Sequence, residues 1–132
     1  MDRKLWTGIE KLSRRTGFIL VATGGCGGFP HLSVAQNLTF ADDTILLEGW
    51  YCPEMLSGLE QNNRFSLTVW DPRTDEGYQI QAVMTKMSQN RILDGYQPAD
   101  NEEAVPQVRW SVSARLEKIS RFNHSPHSDR QL

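Results

Sequence analysis

Apolar residues recur along this chain at two different spacings, and each spacing predicts one type of element. Near the start, Leu5, Ile9 and Leu12 follow one another four and three positions apart, with Trp6 beside them. Side chains three or four positions apart share one face of an α-helix. The spacing therefore predicts an amphipathic helix over residues 2–15 that packs its apolar face against the rest of the protein.

Most of the remaining chain alternates, with an apolar residue at every second position. A period of two places successive side chains on opposite faces of a β-strand. A continuous apolar run at residues 18–23 also predicts a strand, and the alternating segments are residues 31–40, 44–49, 64–70, 78–87 and 108–116, the last continuing to 122. We expect about six strands, joined into antiparallel neighbours.

Alternation also predicts which side chains share a face. In the strand at 31–40, Leu32, Val34, Leu38 and Phe40 fall on one side, and Gln36 interrupts that side. A buried amide needs a hydrogen-bond partner, so Gln36 either bonds to neighbouring backbone or contacts a ligand.

The longest alternating strand, residues 78–87, has two faces of different character. Ile80 and Met84 belong to one face, and Gln79 and Met87 belong to the other.

A stretch between two strands predicts a short helix instead. Pro53 suits the first position of a helix, because that nitrogen needs no hydrogen-bond partner. Met55, Leu56 and Leu59 follow at helical spacing and mark a buried face. The predicted order is strand, Cys52-Pro53 turn, short helix and strand.

These elements predict a mostly β (α+β) fold in a single domain over residues 1–132. Six antiparallel strands with alternating faces favour a closed or nearly closed barrel, because closure removes exposed strand edges. The acidic, turn-rich residues 94–103 show neither spacing, and no element is predicted for them.

Composition excludes two classes of partner. The net charge is −2 and the pI is about 5.9, so there is no basic footprint for nucleic acid. No apolar run reaches the roughly 18 residues that span a bilayer, and the polar start lacks a signal-peptide core. We expect a cytoplasmic protein, in which Cys26 and Cys52 are reduced thiols rather than a disulfide.

The sequence contains no motif typical of catalysis. There is no Gly-x-Ser-x-Gly elbow, no His-Glu-x-x-His and no Cys-x-x-Cys, so no catalytic residue is predicted and enzyme activity stays open. His124 and His127 lack the further ligands that a metal needs, so no metal site is predicted. Cys52 is either a thiol activated by a helix N-terminus or a small buried residue at a turn.

The junction from Gly49 to Leu56 is the most informative candidate site. A helix N-terminus presents unpaired N–H groups and a partial positive charge, which suit an anion. Trp50 and Tyr51 add flat aromatic surface. These aromatic residues suit a planar ring such as that of flavin mononucleotide (FMN), or they are core or dimer-interface residues.

Four segments in fixed order resemble a known family. They are GFPHLSV at 28–34, TILLEG at 44–49, LEQNNRFSLTV at 59–69 and GYQI at 77–80. Over residues 3–122 the chain resembles the pyridoxamine 5′-phosphate oxidase-like family of FMN-binding split barrels. The resemblance implies a split β-barrel, a homodimer with flavin at the subunit interface and an oxidoreductase-like protein acting on a small molecule.

The resemblance also implies, by position, which residues contact the flavin. The ring would lie along the strand that follows Pro30 and His31, and the phosphate would lie near the turn after Gly49. The implied contacts are Val34, Ala35, Gln36 and Asn37 along the ring, Gly49, Trp50, Tyr51 and Cys52 near the ribityl chain and phosphate, Met55 and Leu56 closing the pocket, and Gln79 from a neighbouring strand or across the dimer.

This chain departs from the family at the phosphate. The family commonly has Lys or Arg in this turn, where this chain has Glu54 and its neighbours, and Gly58 replaces the family's Asn. A carboxylate at 4 Å repels a unit negative charge by about 1 kcal/mol in water, and Arg64 is the nearest candidate cation along the sequence. The alternative is a non-catalytic protein of the same fold that has lost flavin binding, as Glu54 suggests, or that binds a deazaflavin or haem. The His124/His127 tail is the only feature that hints at haem.

Overall fold

The structure, a computed structural model, describes residues 3–24, 28–50, 52–92, 107–125 and 130–132. Within these described residues, two helices and eight strands follow one another. They are α1 (Arg3–Thr16), β1 (Ile19–Gly24), β2 (Pro30–Ala35), β3 (Asn37–Ala41), β4 (Thr44–Trp50), α2 (Pro53–Gln61), β5 (Arg64–Asp71), β6 (Glu76–Ile92), β7 (Gln107–Phe122) and β8 (Arg130–Gln131). Within these ranges, no helix has both the length and the apolar character needed to cross a membrane.

The strands form one antiparallel sheet that returns on itself. Their order is β2-β1-β5-β6-β7-β4-β3, and the two-residue β8 pairs with β7. The outermost strands, β2 and β3, are consecutive in sequence and meet at Gln36, whose N–H donates to the Glu48 carbonyl oxygen at 2.9 Å. This continuity joins the two edges of the sheet. The predicted mostly β split barrel, with an N-terminal helix and a short inserted helix, is confirmed.

The strand predicted at 31–40 is divided in two by a bend at Gln36. Before the bend, Leu32 is 67% and Val34 is 49% exposed, whereas Leu38 and Phe40 after it are buried. One extra residue in the bend reverses which parity of positions points inward. The prediction that these four apolar residues share a face is therefore wrong, and Gln36 itself is exposed.

A similar correction applies to β6. Its pairing with β7 shifts between Met84 and Lys86, so that Met84 faces Ala114 and Met87 faces Val112. Both methionines pack against the core. The predicted placement of Met87 on the opposite face is wrong, because a bulge at Thr85 shifts the alternation by one position.

The core lies inside the barrel and under its two helices. Trp6, Ile9 and Leu12 bury the inner face of α1, as predicted, and Trp6 stacks on Phe40 with 5.7 Å between ring centroids. Met55, Leu56 and Leu59 bury the inner face of α2, which is also as predicted. Both helices are therefore amphipathic and are held by the apolar faces that the spacing predicts.

A network of polar contacts closes one end of the barrel, and we call it the Asp71 cluster, formed by Arg15, Trp70, Asp71, Arg73, Asp75 and His124. The buried Asp71 carboxylate accepts from the Arg73 N–H at 2.9 Å and from Arg15 Nε at 2.8 Å. The Arg73 N–H lowers the pKa of Asp71, desolvation opposes this effect, and Arg15 lowers the pKa further.

The second carboxylate of the cluster is equally well satisfied. Asp75 accepts from Trp70 Nε1 at 3.2 Å and from the His124 N–H at 3.1 Å. The His124 ring also lies 5.1 Å from the Trp70 ring. The cluster thus ties the end of α1, the β5–β6 turn and the chain after β7 together.

Candidate functional site

The junction between β4 and α2 is fixed by a glycine and a tryptophan. Gly49 pairs with Trp110 of β7, and a Cβ at Gly49 would lie 2.9 Å from Cζ2 of that buried indole. Trp110 Nε1 also donates to the Trp50 carbonyl oxygen. Only glycine fits above this ring, so the backbone at the end of β4 packs directly against the Trp110 indole.

Helix α2 begins at this junction without a capping side chain. Its N-cap residue is Cys52, which makes no side-chain cap, and Pro53 follows in the first turn. The Cys52 thiol is free and donates instead to the Trp50 carbonyl oxygen at 3.2 Å. Because the N-cap side chain leaves the first turn uncapped among the described residues, the positive end of the helix remains available to an anionic ligand.

Glu54, in the same first turn, is directed toward β2. Its Oε2 lies 3.3 Å from His31 Nδ1, across a cleft of about 470 Å³ between α2 and the start of β2. The glutamate side chain is 81% exposed. It therefore faces His31 and solvent.

Gly58 is explained by close packing of α2 against β1. A Cβ at this position would lie 2.8 Å from the Gly24 carbonyl oxygen and 3.2 Å from Thr23 Oγ1. The Asn that the family resemblance leads us to expect would push the helix away from the strand. The departure at this position is therefore a packing requirement of this chain.

The predicted flavin residues are divided between the outer surface and the core. Val34, Gln36, Asn37 and Trp50 are exposed around the end of β2 and the end of β4, and Cys52 is half-buried beside them. The side chains of Ala35, Met55 and Leu56 are buried in the core, and Gly49 is buried as well. These four offer a ligand only backbone groups. Tyr51 lies outside the described residues, as do Cys26, His127 and residues 94–103.

Gln79 lies apart from the other predicted residues within one chain. Val34 pairs with Leu20, Leu20 with Thr68, and Thr68 with Gln79. All four therefore form one row across the outer face, and the three steps between Val34 and Gln79 span about 14 Å. The structure brings together the predicted residues of β2, β3 and β4, and it places Gln79 at the far end of this row.

Arg109 was not among the predicted site residues, yet it lies at the junction. It pairs with Trp50 across the β4–β7 ladder, and its guanidinium carbon is 5.8 Å from the centroid of the Trp50 ring. In the amide orientation that satisfies both neighbours, Asn37 accepts from Arg109 Nη2 at 2.8 Å and donates to the Gln36 carbonyl oxygen at 3.3 Å. The Nε of Arg109 is buried and has no hydrogen-bond partner among the residues that the structure describes.

The other basic and histidine candidates lie elsewhere. Arg64 begins β5, which is separated from β4 by β6 and β7 in the sheet. His124 belongs to the Asp71 cluster, near the end of β7 that is remote from Arg109. Among the residues that the structure describes, no group of three or more His, Cys, Asp or Glu side chains is arranged to hold a metal.

Comparison with known proteins identifies the fold. No protein-family model matches the chain, and no curated protein matches it in sequence. Solved structures do match. A Clostridium acetobutylicum protein related to general stress protein 26 of B. subtilis, described as of the pyridoxinephosphate oxidase family, is 18% identical with a TM-score of 0.64, over 94% of this chain and 92% of its own.

Two further solved structures share this barrel fold, and their descriptions name different ligands. An FMN-binding protein from Syntrophomonas wolfei is 16% identical with a TM-score of 0.64, over 92% of this chain and 88% of its own. The haem storage protein HutZ from Vibrio cholerae is 12% identical with a TM-score of 0.53, over 86% of this chain and 91% of its own. This chain is a split β-barrel. More narrowly, its fold is that of the pyridoxamine 5′-phosphate oxidase-like proteins, as the sequence resemblance implies.

Proposed function

We propose that this protein binds FMN at the β4–α2 junction and acts as an oxidoreductase-like flavoprotein on a small molecule. The observation that carries the proposal is the uncapped N-terminus of α2 beside an exposed Trp50. Phosphate is suited to the first of these features and a flat ring system to the second. The neighbour of the same fold that is described as FMN-binding supports the choice of ligand.

The residues at the junction fit the two ends of this cofactor. The exposed side chains of Val34, Gln36 and Asn37 give the ring an apolar contact and amide hydrogen-bond groups. Arg109 and the start of α2 offer positive charge for the phosphate. When bound, the flavin would supply the electron-transfer chemistry, and the role of this chain would be to bind it, orient it and exclude water.

We further propose that two copies of the chain share the site. Leu20, Leu32 and Val34 form an exposed apolar strip on adjacent strands β1 and β2. Burial of such a strip is favourable at about 25 cal/mol per Å². A second copy that covers the strip would bring its own Gln79 toward the flavin, which one chain alone does not do because Gln79 lies about 14 Å from Val34.

The test is flavin binding measured together with mass in solution. We expect the purified protein to show flavin absorption bands, or to bind added FMN, with a mass of two 15.0 kDa chains. Absence of flavin uptake on titration would overturn the proposal. A Soret band in the purified protein would instead support the haem-binding alternative.

A surface variant separates the shared site from simple flavin binding. Replacement of both Leu20 and Leu32 by Glu, at strip positions that are not among the proposed flavin contacts, should give a monomer that no longer retains FMN, because like charges would then face each other across the dimer. Thr39→Glu, an exposed strand position outside the strip, is the matched control and should remain dimeric. A Leu20/Leu32 variant that stays a flavin-loaded dimer would show that this strip is not the interface.

A further inference from the structure

Arg109 is a cation without a counter-ion in the part of the chain that the structure describes. Its two neighbours, Trp50 and Asn37, are both neutral. Buried polar groups in native proteins are nearly always hydrogen-bonded, and each exception calls for an explanation. The buried Nε of Arg109, which has no partner in the described part of the chain, is such an exception.

The position of the guanidinium is fixed in advance. The Trp50 ring lies against it, and Asn37 accepts from Nη2, while Asn37 is itself held by the Gln36 carbonyl. Three strands, β3, β4 and β7, therefore contribute to its placement. A charge that is already oriented loses little conformational freedom when a ligand binds, so more of its interaction energy appears as affinity.

The start of α2 lies within reach of the same ligand. Trp50 precedes Pro53 by three residues, and a chain segment of that length spans at most about 10 Å. Within the turn itself the charged group is Glu54, which faces His31. The positive charge that the turn lacks is thus present on the neighbouring strand.

We propose that Arg109, from β7, recognises the phosphate of FMN at this junction and takes the place of a basic residue in the turn. The inference rests on the proposed function, because it assigns a partner to the anionic end of the same ligand. Arg109 acts with the uncapped N-terminus of α2, and its fork of N–H donors matches a phosphate better than a point charge does.

The test compares FMN with riboflavin, which lacks the phosphate. For the wild-type chain we expect FMN to bind at least about tenfold more tightly than riboflavin, since only FMN offers a charged group that can accept hydrogen bonds from Arg109. In Arg109→Gln this preference should fall by about tenfold or more, with the riboflavin affinity nearly unchanged. Arg109→Lys should retain part of the preference, because it keeps the charge and loses the fork.

The same strand offers a matched control. Arg121 also lies over an aromatic ring, with its guanidinium carbon 5.8 Å from the Tyr78 centroid. Arg121→Gln removes an equivalent cation–π contact on β7 and should leave both flavin affinities unchanged. Circular dichroism of each variant checks the fold, and Arg109→Lys keeps the comparison available if Arg109→Gln does not fold.

Three other results of the FMN and riboflavin titrations would contradict the role of Arg109. Equal losses of FMN and riboflavin in Arg109→Gln would show that Arg109 only supports Trp50, and the proposal would be wrong. Equal binding of both flavins by the wild type would also overturn it while leaving flavin binding intact. If the wild type binds neither flavin, the proposed function fails and the role of Arg109 fails with it.

Discussion

Strand β7 connects two polar regions of this barrel that differ in how their charges are satisfied. Near Phe122 lies the Asp71 cluster, where each carboxylate accepts at least two hydrogen bonds. Near the other end of the strand lies Arg109, whose partners are an aromatic ring and a neutral amide. Both regions contain an arginine and a tryptophan, so residue type alone does not distinguish them.

The difference separates a structural role from a binding role. A buried carboxylate that is fully hydrogen-bonded holds its surroundings together, and its removal leaves its partners unsatisfied. A half-buried cation without a counter-ion favours binding of an anion. Substitutions in the Asp71 cluster should therefore change stability and leave flavin binding intact, whereas substitutions of the exposed groups near Arg109 should do the reverse.

The two tryptophans of the junction give the largest expected effect. Trp110 is fully buried beneath Gly49, and truncation of a buried tryptophan costs about 3–5 kcal/mol. Trp110→Ala should therefore lower the free energy of unfolding by about that amount, measured by chemical denaturation.

Trp50→Ala is the matched control. Trp50 follows Gly49, the residue that pairs with Trp110, and its side chain lies on the exposed face of the sheet instead of the buried one. Trp50 is 43% exposed, so its truncation should cost less than about 1 kcal/mol while weakening the binding of both FMN and riboflavin. A large stability loss in Trp50→Ala with no loss of flavin affinity would contradict the division of roles proposed for this junction.

The next effect concerns Asp71 and depends on pH. Since the pKa of Asp71 is lowered in the folded protein from its usual 3.8, its charged form stabilises the fold at neutral pH, and this contribution is lost as the pH falls through the lowered pKa. Asp71→Asn should lower the melting temperature by several degrees at pH 7. The difference in melting temperature between the wild type and Asp71→Asn should become smaller below pH 3.8.

The flavin affinity of Asp71→Asn provides the second readout. Because the cluster is remote from Arg109, we expect FMN to bind this variant as tightly as the wild type at a temperature where both are folded. If the difference in melting temperature between the wild type and Asp71→Asn stays constant down to the lowest pH, the charge of the Asp71 carboxylate is not what stabilises the Asp71 cluster.

Periodicity predicted the elements whose environment is uniform along their length. The spacing of Leu5, Ile9 and Leu12 was sufficient for α1, because one helix face meets one core. It failed at Gln36 and at Met87, where a bend and a bulge shift the alternation. Such irregularities depend on the pairing of distant strands, which a local spacing does not contain.

The candidate site was predicted unevenly for a related reason. Gly49, Trp50 and Cys52 lie within a stretch of four residues, so their junction was visible as a turn before a helix. Arg109 comes 59 residues after Trp50 in the sequence and becomes its neighbour only through the β4–β7 register. The alternation at residues 108–116 is enough to put Arg109 and Trp110 on opposite faces of β7. Which strand lies beside β7 is a property of the fold.

The smallest predicted effect tests whether Glu54 opposes the ligand. Its carboxylate is exposed and faces His31, so solvent screens its repulsion of a phosphate, and about 0.7 kcal/mol or threefold in affinity is a reasonable scale. Glu54→Gln should tighten FMN binding about threefold and leave riboflavin binding unchanged, as measured by fluorescence titration. Glu76→Gln, an exposed acid that faces Arg15 in the Asp71 cluster, should alter neither affinity. A gain of more than about tenfold in Glu54→Gln would mean that Glu54 lies directly against the phosphate and that Arg109 does not neutralise it.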